Sequence, residues 1–229
     1  MEEAFLKLKK IDEFIEKKYR ISDSRDFKII KLYADAVYDF LVHYCTYDSS
    51  SASIVKANNN DTEIYNRLLN LKNCVLTGKG VCGQFAQFFT TLVANRIYKV
   101  CGKARCGILN AKIYFTDKNG NNKIDPHSLN FLSFDGRLYL YDISMGLKQA
   151  VKAQEPNAFC GIDSELYQTR LAKFDNNSTI ESTNMLYIEP KPMKAVFELF
   201  YPHKSFYNKK TEDYEGVKAP DIFTSPENY

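Results

Sequence analysis

Cys82 stands in the segment Gly78-Lys79-Gly80-Val81-Cys82-Gly83-Gln84-Phe85-Ala86, where two glycines interrupt regular structure just before a helical apolar pattern begins. A thiol attacks carbonyl carbon as its thiolate, and a helix N-terminus or a neighbouring cation favours that anion. On this spacing Cys82 opens the helix. The helix dipole and the unpaired N–H groups of the first turn then favour negative charge there, and can also receive an oxyanion. The competing reading is a small buried residue at the head of an apolar stripe, and for the cysteine taken alone that reading wins.

A thiol nucleophile needs a base, and the chain has three histidines. His43 falls inside a predicted helix and His203 follows Pro202 in the tail, whereas His127 opens the strand-like run Ser128 to Phe134. Asp135-Gly136 is a two-residue hairpin signal. It pairs Phe134 with Arg137 and, counting back, Leu129 with Asp142. Alternation along the strands puts His127, Leu129, Phe131 and Ser133 on one face with Leu138, Leu140 and Asp142. His127 and Asp142 become diagonal neighbours about 7 Å apart at Cβ, a gap that imidazole and carboxylate can bridge. That face is mainly apolar, and it is expected to pack on the helix headed by Cys82. Asp142 would hold the imidazole by one nitrogen and stabilise the imidazolium formed when Cys82 gives up its proton. Its alternative role is to cap the turn near Ser144 and Gly146; the shared face favours catalysis.

The remaining cysteines are Cys45, Cys74, Cys101, Cys106 and Cys160. A chain this long does not depend on a disulfide framework, so free thiols are expected. Cys101 and Cys106, spaced as CGKARC, lack the second pair or clustered histidine that a zinc site requires. Asp117, Asn119, Asn121 and Asp125 fall at positions 1, 3, 5 and 9 of a calcium-loop pattern. The sixth position is Asn122 rather than glycine and the twelfth is Ser128 rather than glutamate, so a polar hairpin loop is favoured over calcium. No metal or other cofactor is expected.

The elements that must position these groups follow from periodicity. Residues 2–19 form a helix with Phe5, Leu8, Ile11, Phe14 and Ile15 as its stripe, and 22–26 supply N-cap candidates for a second helix through about His43. The second stripe is Ile29, Leu32, Val37, Phe40 and Leu41. Residues 48–61 form a polar loop and a short helix spans about 62–71. The helix of Cys82 shows Phe85, Ala86, Phe89, Leu92, Val93 and Ile97 on one face. Strands follow at about 106–116, 128–134 and 137–143, with Asn119-Gly120 and Asp135-Gly136 as turns. A helix at 164–174 precedes two late strands, near 184–188 and 195–201, and a polar surface tail from 203 to 229. The fold class is therefore α+β, with N-terminal helices and the nucleophile helix packed on an antiparallel sheet.

Of 229 residues, 45% are hydrophobic, enough to bury a sizeable core. Thirty-one basic residues against 28 acidic leave a charge of +3 without a long basic run, which argues against nucleic acid as partner. No apolar run approaches the roughly 18 residues of a membrane span. Met1-Glu2-Glu3 does not open a signal peptide, so a cytoplasmic location is expected.

Gly80-Val81-Cys82-Gly83-Gln84-Phe85-Ala86 resembles the G-x-C-x-x-[FY]-A nucleophile motif of the transglutaminase-like superfamily. His127-Ser128-Leu129-Asn130 resembles its H-x-W-N motif, and Gly136 to Asp142 resembles its G-x-W-Y-x-x-D motif, in the same order. The resemblance spans about residues 75–145. It implies a papain-like core over 73–202, between an N-terminal helical segment (1–72) and the tail, and acyl transfer through a Cys82–His127–Asp142 triad. Family members include transglutaminases, deamidases, peptidases and peptide:N-glycanases, and some are inactive. Leu129 and Leu138 replace the motif tryptophans, and the chain has no tryptophan at all, a departure from the animal transglutaminase pattern. The expected substrate is a peptide or protein amide. The alternatives are an inactive binding module and an acyltransferase resembling the arylamine N-acetyltransferases.

Overall fold

The computed structural model describes residues 1–57, 64, 68, 70–151, 155–174, 177–200, 207–208, 213–214 and 222–223. Its helices include α1 (Glu2–Lys18), α2 (Phe27–Tyr44), α3 (Ser49–Ala57), α4 (Leu71–Thr77), α5 (Cys82–Val100), α6 (Ile143–Val151), α7 (Ser164–Phe174) and α8 (Met193–Leu199). The strands are β1 (Thr46–Tyr47), β2 (Lys79–Gly80), β3 (Arg105–Thr116), β4 (Asn122–Phe134), β5 (Arg137–Tyr141), β6 (Cys160–Ile162), β7 (Thr179–Ile188), β8 (Tyr207–Asn208) and β9 (Asp213–Tyr214). β6-β5-β4-β3-β7 form one antiparallel sheet, so the mixed α+β class and antiparallel sheet expected from the sequence are present.

The β4–β5 hairpin turns on Asp135 and Gly136, both at positive φ (50° and 72°), as a type I′ turn requires. Pairs run from Phe134↔Arg137 to Asn130↔Tyr141, the register counted from the turn. The face assignment is different. His127 does share a side with Leu129 and Phe131, but that side packs against Leu140, Met145, Phe159, Tyr167, Leu171 and Met185. Helix α5 instead covers the opposite face, with Cys106, Ile108, Leu132 and Tyr141 in its core. The physical reason is that the sheet is buried on both sides, so apolar alternation cannot say which side takes the helix. The Asn130 amide nitrogen finds partners there, donating to Ala86 O and Thr90 Oγ1, both at 2.9 Å.

α5 is buried all round from Gln84 to Ile97, rather than along one stripe, because α2 and β3–β4 flank it. α1 buries Leu8, Ile11 and Ile15 as expected, while Phe5 is half-buried, Phe14 is exposed, and Ala4 and Asp12 are buried instead. Asp12 accepts from Lys99 Nζ at 2.8 Å and from the Tyr33 hydroxyl. In α2 the buried stripe is Ile30, Tyr33, Ala34, Val37, Tyr38 and Leu41, while Leu32 faces solvent. Tyr33 and Tyr38 can be buried because their hydroxyls reach Asp12 and Pro156 O.

Residues 49–57 are helical, not loop. Asp48 caps them, accepting from Ser50 Oγ at 2.6 Å and from the Ser51 N–H at 3.0 Å. Of the strand expected over 195–201, residue 201 lies outside the described residues and 195–199 are helical, with Met193, Val196, Phe197 and Phe200 buried on one side. The strand near 184–188 is real and begins earlier, at Thr179. The helix expected over 62–71 lies mostly outside the described residues, and Leu71 opens α4. His203 and most of the tail also lie outside them. Ile222, however, is buried, and its N–H donates to Ser182 Oγ at 2.9 Å. Among the described residues, no helix is long and apolar enough to cross a membrane.

Candidate active site

A short parallel pairing of β1 with β2 holds the chain that enters α5. Thr46 N–H donates to Gly78 O and Asp48 N–H to Gly80 O, both at 2.8 Å. Gly78 closes α4 in the left-handed region at φ 73°, where a Cβ would lie 2.8 Å from Tyr44 O. Gln84, one residue into the first turn beyond Gly83, accepts from the Val81 N–H at 3.0 Å and donates to Asn70 O at 2.8 Å. These bonds fix the backbone that presents Cys82, which is the first residue of α5 and is partly exposed.

His127 lies on β4 opposite Ala111 of β3 and is buried. Its Nε2 is 2.7 Å from Asp142 Oδ2, and the Cys82 thiol lies within hydrogen-bonding reach of the ring. With Nε2 committed to the carboxylate, Nδ1 is the nitrogen left to face Cys82. Asp142 is fully buried between the end of β5 and the start of α6. Oδ2 also accepts from the Tyr167 hydroxyl at 2.5 Å, and Oδ1 accepts from the Met145 N–H at 3.0 Å. One Asp142 oxygen thus caps α6 and the other holds the imidazole.

Electrostatics make the pair ionic. Burial works against a charged imidazole, but the Asp142 carboxylate, by charge and by hydrogen bond, and then Cys82 outweigh it and raise the His127 pKa well above its ordinary value. Burial likewise opposes the charge on Asp142. The charge and hydrogen bond of His127, with Tyr167 and the Met145 N–H, reverse that and lower its pKa.

Two residues of this region, Tyr167 and Tyr47, carry no motif, and a third, Asn130, closes the H-x-W-N resemblance. Tyr167 comes from α7, far along the chain from the hairpin. Tyr47 is half-exposed beside β2, with its ring 6.4 Å from Phe85. Partial burial, then the charges of Cys82, Asp125 and Asp142, raise the pKa of its hydroxyl, which remains a donor. Asn130 ties β4 to the second turn of α5. Asn130 had a signal in the motif that it closes; Tyr47 and Tyr167 had none, being two among 16 tyrosines.

The other motifs do not converge on a site. Cys101 ends α5, exposed, while Cys106 is buried in β3. Asp117 accepts from the N–H groups of Asn119 and Asn121 at 2.8 and 3.0 Å, and Asp125 lies in β4 opposite Ile113. Among the described residues, no group of three or more His, Cys, Asp or Glu side chains is placed to hold a metal ion. His43 is exposed at the end of α2, 2.7 Å from Asp39 O.

No family model matches the chain, and no curated protein matches it. Among solved structures, a crystal structure of a TGase is similar over 61% of this chain and 31% of its own, with 17% identity and a TM-score of 0.36. The chain thus spans about a third of that structure's length, and a likeness at this level defines neither fold nor activity.

Proposed function

We propose that this chain is a cysteine-dependent acyl-transfer enzyme of transglutaminase-like type, with a papain-like core. It acts on amide bonds of peptides or proteins through a thioester on Cys82. The observation that carries the reading is the thiol–imidazole–carboxylate relay: Cys82 at a helix start, against His127, which Asp142 holds at 2.7 Å. The Cys82 proton passes to His127, and the sulfur attacks the amide carbonyl carbon. The first N–H groups of α5 receive the oxyanion, assisted by the Tyr47 hydroxyl at the rim. His127 returns its proton to the leaving nitrogen as the C–N bond breaks. Water or an amine then attacks the thioester and restores the thiol, giving hydrolysis, deamidation or cross-linking.

Incubation with a glutamine-containing protein, followed by hydroxylamine quenching and mass spectrometry, tests the reading. We expect acyl transfer to hydroxylamine, with release of ammonia or amine, and its abolition in Cys82→Ala. Tyr47→Phe should slow it on the order of a hundredfold, the usual loss for one oxyanion donor. Product formation undiminished in Cys82→Ala would place the chemistry elsewhere.

A further inference from the structure

We propose that the Tyr167 hydroxyl is a positioning group for the triad, fixing the Asp142 carboxylate in the orientation that holds His127. The inference rests on the acyl-transfer reading of Cys82, His127 and Asp142.

Asp142 Oδ2 receives two bonds, from His127 Nε2 at 2.7 Å and from the Tyr167 hydroxyl at 2.5 Å. A carboxylate held only at Oδ1, by the Met145 N–H, could swing Oδ2 about that anchor; the phenol pins the second oxygen. Tyr167 is itself fully buried, and its ring is held between Phe159 at 5.2 Å and Phe223 at 5.4 Å. The donor is therefore placed by α7 and by the C-terminal segment at 222–223, neither of which supplies a reacting atom. Ile222, next to Phe223, is anchored in turn to Ser182 of β7. A chain of packing thus runs from the C-terminal segment through Tyr167 to the aspartate of the site.

The hydroxyl also bears on pH behaviour. The ionisable groups acting on Asp142 are His127 from β4, Tyr167 from α7, Tyr38 from α2 and Tyr47 from β1, while Cys82 of α5 acts through His127. Of these, His127 and Tyr167 favour the ionised carboxylate by hydrogen bonding. Without the phenol, the depressed pKa of Asp142 moves upward. The ionised form is then lost at a higher pH as the solution is acidified.

The test is the pH–rate profile of Cys82 alkylation by iodoacetamide in the full chain, comparing wild type, Tyr167→Phe and Phe223→Ala, each with its melting temperature. Tyr167→Phe keeps the ring and its packing. We expect its acid limb to move up by about one pH unit, a tenfold fall in rate on that limb. Phe223→Ala, which keeps the hydroxyl but removes one wall, should move the limb the same way by less. A Tyr167→Phe profile that superimposes on wild type overturns the proposal. So does a rate loss that only follows a lower melting temperature, with the limb unmoved. Wild-type Cys82 reacting no faster than the other thiols would instead remove the triad reading itself, and this role with it.

Discussion

Asp142 serves three partners at once, and the consequence is a specific pH dependence of stability. Its pKa is lowered in the folded chain, so its contribution is present above the ordinary carboxylate value of about 3.9 and is lost as pH falls through the folded value. His127 has the opposite sign. Its raised pKa gives a contribution fully present below the ordinary value of about 6.5 and lost as pH rises through the folded value. The pair therefore stabilises most between roughly pH 4 and 6.5. Asp142→Asn should lower the melting temperature most inside that window and less on either side. A loss equal at pH 5 and pH 9 in thermal unfolding would contradict an ionic pair. At this scale the sequence was informative where local geometry is rigid: the Asp135-Gly136 turn fixes the register, and the register places His127 beside Asp142. Tyr167 was invisible because its contact depends on how α7 crosses the sheet, which no local pattern encodes.

Between elements, the join that matters is α5 on β4. Asn130 Nδ2 bonds Ala86 O, Thr90 Oγ1 and, at 3.2 Å, Gly107 O, while three residues away His127 meets Cys82. Asn130 thus joins the strand to the second and third turns of the helix. Asn130→Ala should cost about 1–3 kcal/mol in chemical denaturation, the penalty for stranding buried acceptors. It should also slow Cys82 alkylation, although Asn130 does not touch the thiol; unchanged stability together with unchanged alkylation would show that the join lies elsewhere. This face was misjudged from sequence because nothing local reveals the partners that allow Asn130 and Tyr141 to be buried. The same reason explains α2, where tyrosines with hydroxyl partners displaced Leu32 from the core. The late helix at Met193 was, by contrast, legible in the spacing of Met193, Val196, Phe197 and Phe200, which a strand reading overlooked.

For the whole molecule, the question is whether α1 is a detachable cover or part of the fold. Ala4, Leu8, Ile11 and Ile15 enter the same buried core as Phe85, Phe89 and Leu92 of α5. Arg96, almost fully buried, bonds Glu16 of α1, and both Asp23 and Ser22 O in the segment leading to α2. Removing residues 1–18 would open that core and strand Arg96, and a single large-to-small change such as Leu8→Ala already costs about 2–5 kcal/mol. We expect the truncated chain to lose cooperative unfolding, as followed by circular dichroism. A folded truncated chain with faster Cys82 alkylation would mean that α1 is a cover. The helix itself was legible from its 3.6-residue period, but its integration was not, since it depends on the partners that Asp12 and Arg96 find on other elements.

Whether His127 and Asp142 make Cys82 a nucleophile is decided by alkylating all six cysteines with iodoacetamide near pH 6. Rates are mapped by mass spectrometry in wild type and in His127→Ala. We expect Cys82 to react faster than the exposed Cys101 in wild type, and this advantage to disappear in His127→Ala while Cys101 is unchanged. A Cys82 that reacts no faster than Cys101, or equally fast with and without His127, would contradict that expectation.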